Sequence, residues 1–273
     1  MGRKDDIREA FLKHRKRRRI RDLRDKGVYL LPNLFTTANL FCGVFAVLAI
    51  FNGESTRAAM AIFVAMLFDV VDGKVARMTK TTSHFGMEYD SLSDLISFGV
   101  APGLLVYSWG LSGYGRLGWA AVFLYIVCGA LRLSRYNVHQ AASEMKGFMG
   151  LPIPSAAALI SSMILLDDYI LHLGKDIRPI VVLGMTYILA FLMVSTLKYR
   201  GLKEIHLRNP TSFSVLVATV LILLLLVVAP QVMLFGLTLL YVLSGMIEKP
   251  IVAVYRLMRK TPQEDRLSED GPG

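Results

Sequence analysis

The chain has 273 residues, 54% of them hydrophobic, and its mean hydropathy is +0.49. This composition excludes an ordinary soluble domain and indicates a membrane protein. The net charge of +10 lies mostly outside the apolar stretches, and the only two cysteines, Cys42 and Cys128, lie inside them. We interpret both thiols as packing residues.

The N-terminal segment, residues 1–30, is strongly basic. Its first 26 residues carry twelve Lys or Arg against five Asp or Glu. The apolar run that follows is too long for the hydrophobic region of a signal peptide. We interpret the segment as a cytosolic anchor attracted to anionic lipid headgroups. A nucleic-acid-binding arm is the alternative, but a basic run alone is a weak signal for one, and we predict no nucleic-acid partner.

Apolar runs of about 20 residues, enough for a helix to cross the hydrocarbon core, recur along the chain. They predict an all-α integral membrane protein with one transmembrane domain over residues 31–250 and a polar C-terminal tail over 251–273. About eight helices are expected. In chain order the predicted spans are about 31–52, 57–78, 87–109, 117–137, 152–172, 178–197, 212–229 and 231–250.

The distribution of Lys and Arg predicts the orientation. With the N-terminus in the cytosol and alternating spans, all but four of the 31 basic residues fall on or near the cytosolic side; the exceptions are Arg57, Arg116, Lys175 and Arg178. By the positive-inside rule both termini are predicted to be cytosolic, in a cell (inner) membrane. The connection between the second and third spans then also faces the cytosol.

Four aspartates lie beside that connection. Asp69 and Asp72 are three residues apart in the second span, and Asp90 and Asp94 are four apart in the third. Both spacings place a pair on one helix face, and the short connection makes the two helices neighbours. We therefore expect the four carboxylates to converge.

Converging carboxylates repel one another unless cations neutralise them. An all-oxygen ligand set suits Mg²⁺ or Mn²⁺, and two such ions stabilise the attacking and leaving oxygens in phosphoryl transfer. Arg77 adds a positive fork suited to phosphate. Acidic residues inside a membrane also serve ion paths, so a cation transporter stays open on these residues alone.

The longer pattern is D-x-x-D-G-x-x-A-R, then eight residues, then G-x-x-x-D-x-x-x-D. It resembles the signature of the CDP-alcohol phosphotransferase family of integral membrane enzymes. The chain supplies every position at the right spacing: Asp69, Asp72, Gly73, Ala76, Arg77, Gly86, Asp90 and Asp94. The resemblance implies a shared core of six membrane helices, to which this chain adds two, and a homodimer.

The resemblance also implies roles for these residues. Members transfer a substituted phosphate from a CDP-linked donor to an alcohol and release CMP. Two divalent ions, Mg²⁺ or Mn²⁺, would bind Asp69, Asp72, Asp90 and Asp94, and Asp94 would also be the general base on the incoming hydroxyl. The diphosphate of the CDP-lipid would contact Gly73 and Arg77, with Ser83 a further contact by position.

Three flanking stretches resemble the branch of the family that uses L-serine, with CDP-diacylglycerol as donor and phosphatidylserine as product. They are "LPNLFTTANLFCG" (31–43), "ALRLSRYN" (130–137) and "GFMGLPIPSAAA" (147–158). Asn33 and Thr36 are candidate nucleotide contacts, with a helix cap or interhelical hydrogen bond as the alternative. Arg132 and Arg135 are candidates for the serine carboxylate or lipid phosphate, with membrane anchoring as the alternative.

Other functions remain as alternatives. The same chemistry on glycerol 3-phosphate or an inositol phosphate would favour a denser basic pocket. A cation transporter would have no need of Gly73 and Arg77, and a non-catalytic lipid-binding scaffold would tolerate loss of Asp94.

Overall fold

The structure is a computed structural model, which describes residues 32–79, 83–141, 148–174, 176–199, 220 and 228–259; for 79, 140, 141, 148, 149, 198 and 247–259 only the backbone is considered. Eight α-helices account for most of these residues. They are α1 (Pro32–Phe51), α2 (Ser55–Thr79), α3 (His84–Asp94), α4 (Ala101–Val106), α5 (Gly115–Ala141), α6 (Ile153–Leu166), α7 (Ile177–Val194) and α8 (Pro230–Arg259).

Short π-helical segments extend or join several of these helices. Leu95–Val100 joins α3 to α4, Tyr107–Leu111 follows α4, and Asp167–Leu171 extends α6. A π-turn frees a main-chain carbonyl from the regular ladder. The fully buried Tyr125 hydroxyl donates a hydrogen bond of 3.0 Å to the carbonyl of Phe98, inside the first of these segments.

Among the described residues, four helical runs are long and apolar enough to cross a membrane: Pro32–Phe51, His84–His139, Ile153–Leu171 and Ile177–Val194. The second has 56 residues, about 84 Å if straight at ~1.5 Å per residue, against a hydrocarbon core of about 30 Å. It is not straight. After a 3₁₀ turn at Ser112–Tyr114 the chain reverses at Gly115, whose φ of +51° favours glycine.

These helices confirm a largely helical, multi-pass membrane protein. Helices occupy six of the predicted spans in order, and α8 covers the last but continues to Arg259, beyond the predicted domain end at 250. The predicted span 212–229 lies almost entirely outside the described residues. The count of eight spans and the orientation therefore stay predictions.

The core is built on α6, whose apolar residues are buried nearly throughout and which packs against α2 and α8. On α2 the inward face is mostly alanine, at Ala58, Ala61 and Ala65, and these small side chains let the helices approach closely.

A two-residue strand pair, β1 (Phe148–Met149) with β2 (Lys198–Tyr199), is the one departure from an all-α chain among the described residues. It ties the entry to α6 to the segment after α7. Gly150 follows with φ +79°, and its N–H donates to Leu197 O at 2.8 Å. The pairing fixes the connections at the end of the bundle where the aspartates lie.

The opposite end holds a separate polar group around a cavity of about 480 Å³. Arg178 contacts the buried Asp167 at 2.8 Å and lies over the ring of Trp109, while Thr56 donates to Asp168 at 2.6 Å. These contacts join the start of α2 and the start of α7 to the π-helical extension of α6.

Candidate active site

Three of the four predicted aspartates meet at one end of the bundle. Asp69 and Asp72 project from the C-terminal half of α2, and Asp90 projects from α3. Each offers one carboxylate oxygen, and the three oxygens lie within 4.8 Å of one another. Asp72 is only 4% exposed, whereas Asp69 and Asp90 are half-buried, so the cluster reaches from the interior of the bundle toward solvent.

Asp94 lies one helical turn further along α3 and is also buried. It is near enough to Asp69 and Asp90 to interact electrostatically with both, although it is not part of the three-oxygen cluster. Its Oδ1 accepts a hydrogen bond of 3.0 Å from the side-chain Nδ2 of Asn39 on α1.

Helix α1 supports the aspartates from the other side. The hydroxyl of Thr36 lies 3.2 Å from both Asp72 Oδ2 and the main-chain Pro32 O of its own helix, and these two acceptors share its single proton. Of the two functions considered for Thr36, the structure provides the interhelical hydrogen bond.

The main chain of α1 is held against α3 by two serines. Ser93 Oγ donates to Thr36 O at 3.1 Å, and Ser97 Oγ donates to Asn39 O at 3.0 Å. The helices approach closely at Gly43, where a Cβ would lie 2.8 Å from Ser97 Cα and would overlap its hydroxyl. Both serines and Asn39 are fully buried.

The residues present fit a divalent cation. The donors are all carboxylate oxygens, which Mg²⁺ and Mn²⁺ prefer. Asp90 Oδ1 is buried and has no hydrogen-bond partner within the described part of the chain, which would be costly for a carboxylate that bound nothing. Asp69, Asp72 and Asp90 therefore form a site that can hold a metal ion.

Gly73 and Arg77 lie together at the end of α2. The Arg77 side chain is exposed and folds back over the glycine, so that a Cβ at Gly73 would lie 3.6 Å from Nη1 and 3.7 Å from Nη2. The guanidinium therefore lies beside the carboxylates, just over one turn beyond Asp72, and it interacts electrostatically with Asp69.

Asn33 and Ser83 meet at the start of α3. Ser83 is the N-cap of that helix, and its Oγ accepts a hydrogen bond of 2.9 Å from the Gly86 N–H. A Cβ at Gly86 would lie 3.1 Å from this Oγ and 3.5 Å from Asn33 Oδ1. Gly86 thus leaves room for both side chains at the mouth of the site.

The two arginines of α5 differ in their surroundings. Arg135 Nη1 donates to Val194 O, the last residue of α7, at 3.2 Å. Arg132 is 8% exposed and interacts electrostatically with Asp94 and Asp69, and its buried Nε has no hydrogen-bond partner in the described residues. Only Arg132 faces the aspartates.

Sequence reasoning missed Asn39, Ser93 and Ser97. A signal was available in α1, because positions 32, 36, 39 and 43 recur at helical spacing and so share one face. What that face contacts depends on the packing of α1 on α3, which the sequence does not state.

Comparisons with known proteins agree with this geometry. Residues 29–197 match the family model described as CDP-alcohol phosphatidyltransferase. A CDP-diacylglycerol–serine O-phosphatidyltransferase of Helicobacter pylori (strain J99) is 38% identical over 178 residues, 65% of this chain and 75% of that protein. The protein of the same name from Bacillus subtilis (strain 168) is 35% identical over 174 residues, 64% and 92% of the two chains.

An archaetidylserine synthase of Methanothermobacter thermautotrophicus is 43% identical over 141 residues, which are 51% of this chain and 59% of that one. The family match covers more than half of the chain and contains all four aspartates and both arginines of α5. The chain is therefore a member of the CDP-alcohol phosphatidyltransferase family.

Proposed function

We propose that the protein transfers the phosphatidyl group of CDP-diacylglycerol to the hydroxyl of L-serine, giving phosphatidylserine and CMP. The observation that carries the proposal is the convergence of Asp69, Asp72 and Asp90 at one end of a membrane bundle, in a chain of this family. Serine is favoured as acceptor because relatives matching about 65% of the chain are named as serine phosphatidyltransferases.

The donor binds where the bundle meets water. Asp69, Asp72 and Asp90, with Asp94 completing a second site, would hold two divalent ions, Mg²⁺ or Mn²⁺. When bound, these ions neutralise the pyrophosphate and raise the acidity of the incoming hydroxyl. Arg77, exposed beside Gly73, pairs with the diphosphate.

The nucleotide lies at the mouth of the site. Asn33 and Ser83, brought together by Gly86, are placed to hydrogen-bond it. The Ser83 Oγ already accepts from the Gly86 N–H, and its hydroxyl proton is available to donate to a phosphate or ribose oxygen of the ligand. The acyl chains remain in the bilayer, since the donor is anchored through its lipid.

Asp94 acts as the general base. It removes the proton of the serine hydroxyl while that oxygen forms a bond to the phosphorus carrying the diacylglycerol. The bond from this phosphorus to the CMP oxygen breaks, and CMP leaves with the electron pair. Because Asn39 holds Asp94 Oδ1, the other carboxylate oxygen is the one that receives the proton.

Arg132 binds the carboxylate of the serine. Its guanidinium is buried, lies close to Asp94 and has a donor without a partner in the described residues, so an acceptor anion would satisfy it. Arg135, already bonded to the end of α7, serves to hold α5 in place. Arginine forks suit carboxylates, and the lipid phosphate is the alternative ligand for Arg132.

The membrane placement follows from charge. The protein lies in the inner membrane of the cell, with both termini and the aspartate end of the bundle facing the cytosol. In this orientation nearly all Lys and Arg lie on the cytosolic side. CDP-lipid headgroup and serine reach the site from water on that side. Family resemblance further predicts a homodimer.

The substitution Asp94→Asn tests the mechanism. It removes the proton acceptor but keeps the side-chain size, so CMP release should fall to background while CDP-diacylglycerol binding is retained. Ser162→Ala, a substitution in α6 away from the aspartates, is the control for handling of the purified protein. An Asp94→Asn protein that still turns over serine would remove the general-base assignment.

A further inference from the structure

Among the described residues, Asn39 is the one buried side-chain amide that donates a hydrogen bond to an aspartate. It is 0% exposed, in the middle of α1, and its Nδ2 lies 3.0 Å from Asp94 Oδ1. An ionised carboxylate only accepts hydrogen bonds, so the amide nitrogen must face it. The contact therefore fixes the orientation of the Asn39 side chain as well as that of Asp94.

The other half of the same amide is unpartnered. Asn39 Oδ1 is buried and accepts no hydrogen bond within the described residues. An orphaned buried acceptor is costly, and an apolar residue would fill an interhelical position without that cost. The neighbouring inward positions of α1, Ala46 and Ala49, are filled in that way. Packing alone thus gives no reason for an amide at position 39.

The surroundings hold Asn39 rigidly. Its main-chain carbonyl accepts from Ser97 Oγ at 3.0 Å, and one turn further Gly43 lets α1 approach Ser97 closely. Ser97 lies on the same helical run as Asp94, three residues on. The amide and the carboxylate that it contacts are therefore carried on two helices that are locked together beside the contact.

We propose that Asn39 is a positioning residue for Asp94, holding one carboxylate oxygen so that the other faces the hydroxyl of the acceptor. The inference rests on the proposed role of Asp94 as the base. A hydrogen-bonded partner of this kind restricts the rotation of the carboxylate about its terminal torsion, which is otherwise broad.

The test compares kcat and KM for Asn39→Ala and Asn39→Asp in detergent, measuring CMP release with CDP-diacylglycerol and L-serine. The expected result is a fall in kcat of about 10- to 100-fold, the usual effect of losing a supporting hydrogen bond. The KM for CDP-diacylglycerol and its binding affinity should stay within about twofold of wild type, because the donor site is unchanged. A purely structural role would lower thermal stability and weaken donor binding together with kcat.

Ser162→Ala is the matched control. It removes another interhelical hydrogen bond, the partly buried one of 3.1 Å between Ser162 and Thr238, which joins α6 to α8. Its kcat should equal that of wild type. If Asn39→Ala does not purify as a folded protein, Asn39→Asp tests the positioning role in its place. This variant keeps the shape of the side chain and replaces the donor by an acceptor, so its kcat should fall as well.

Failure of the positioning role of Asn39 and failure of the proposed mechanism give different results. Wild-type kcat in a folded Asn39 variant, with Asp94→Asn inactive, would overturn the positioning role and leave the base in place. An active Asp94→Asn protein would overturn the proposed mechanism itself. A fall in kcat accompanied by an equal loss of donor binding would assign Asn39 to the structure and also overturn the positioning role.

Discussion

Replacing Gly43 by alanine tests whether the contact between α1 and the α3 run sets the geometry of the site. A Cβ at position 43 would lie 2.8 Å from Ser97 Cα, whereas non-bonded carbons are in optimal contact at about 3.5–4.0 Å. The obstacle is main chain and cannot swing aside, so α1 must move away by roughly 1 Å.

That movement would break the supporting hydrogen bonds. The bonds from Asn39 to Asp94 and from Ser97 to the carbonyl of Asn39 are both 3.0 Å long, so an added ~1 Å takes them beyond hydrogen-bonding distance. We expect Gly43→Ala to lower kcat by about 100-fold, the usual effect of a 1 Å misplacement. The free energy of unfolding should fall by about 1–3 kcal/mol, as for other overpacked cores.

The assay is CMP release in detergent, together with unfolding in a denaturing detergent followed by circular dichroism. Gly184→Ala in α7 is the matched control, since among the described residues no atom beyond the backbone of its own helix lies within 4 Å of a Cβ there. It should remain within about 1 kcal/mol of wild type. If Gly43→Ala behaved like this control in both measurements, the close approach of α1 would not control the site.

Two further predictions concern arginines. Arg132→Gln should raise the KM for serine at least about tenfold, because it removes the partner of the serine carboxylate. Arg135→Gln should mainly lower thermal stability. Equal serine KM values for the two variants would contradict the assignment of Arg132 to the serine carboxylate. At the opposite end of the bundle, Arg178→Gln leaves Asp167, 1% exposed, without its ion partner and should cost about 3 kcal/mol of unfolding free energy. Arg57→Gln removes an exposed arginine from its pair with a neighbouring glutamate and should lower the unfolding free energy by less than about 1 kcal/mol. Similar losses of unfolding free energy for Arg178→Gln and Arg57→Gln in the same assay would refute the distinction between the buried and the exposed pair.

The helices and the aspartate cluster could be predicted because their signals are local. Apolar runs define the spans, and spacings of three and four residues place Asp69 with Asp72 and Asp90 with Asp94. A short connection then requires the two helices to be neighbours. The structure brings Asp69, Asp72 and Asp90 together accordingly.

The supporting contacts could not be predicted because they depend on how helices meet. Thr36 is a candidate for the nucleotide from sequence, and the structure adds a contact of its hydroxyl with Asp72 that the sequence does not specify. Arg132 and Arg135 looked alike in sequence, yet one faces the aspartates and the other the end of α7. The rotation of α1 and α5 about their own axes determines which of these side chains face the aspartates.

The π-helical segments and the strand pair could not be predicted for the same reason. Nothing in the local composition of Leu95–Val100 distinguishes a π-turn from an α-turn, and the side-chain hydrogen bond to the Phe98 carbonyl within it comes from Tyr125 on a separate helix. The pairing of Phe148 with Tyr199 joins segments that are distant in sequence. Neither has a signal within its own stretch of sequence.

The central claim is transfer of a phosphatidyl group to serine at the aspartate site, and the most direct measurement is CMP release by the purified protein. CDP-diacylglycerol would be offered with Mg²⁺ or Mn²⁺, and serine, glycerol 3-phosphate, inositol and inositol 1-phosphate would be supplied separately, each also with a chelator. The account predicts CMP release that requires both serine and the metal. Release with a different acceptor, or release that persists in the chelator, would contradict it.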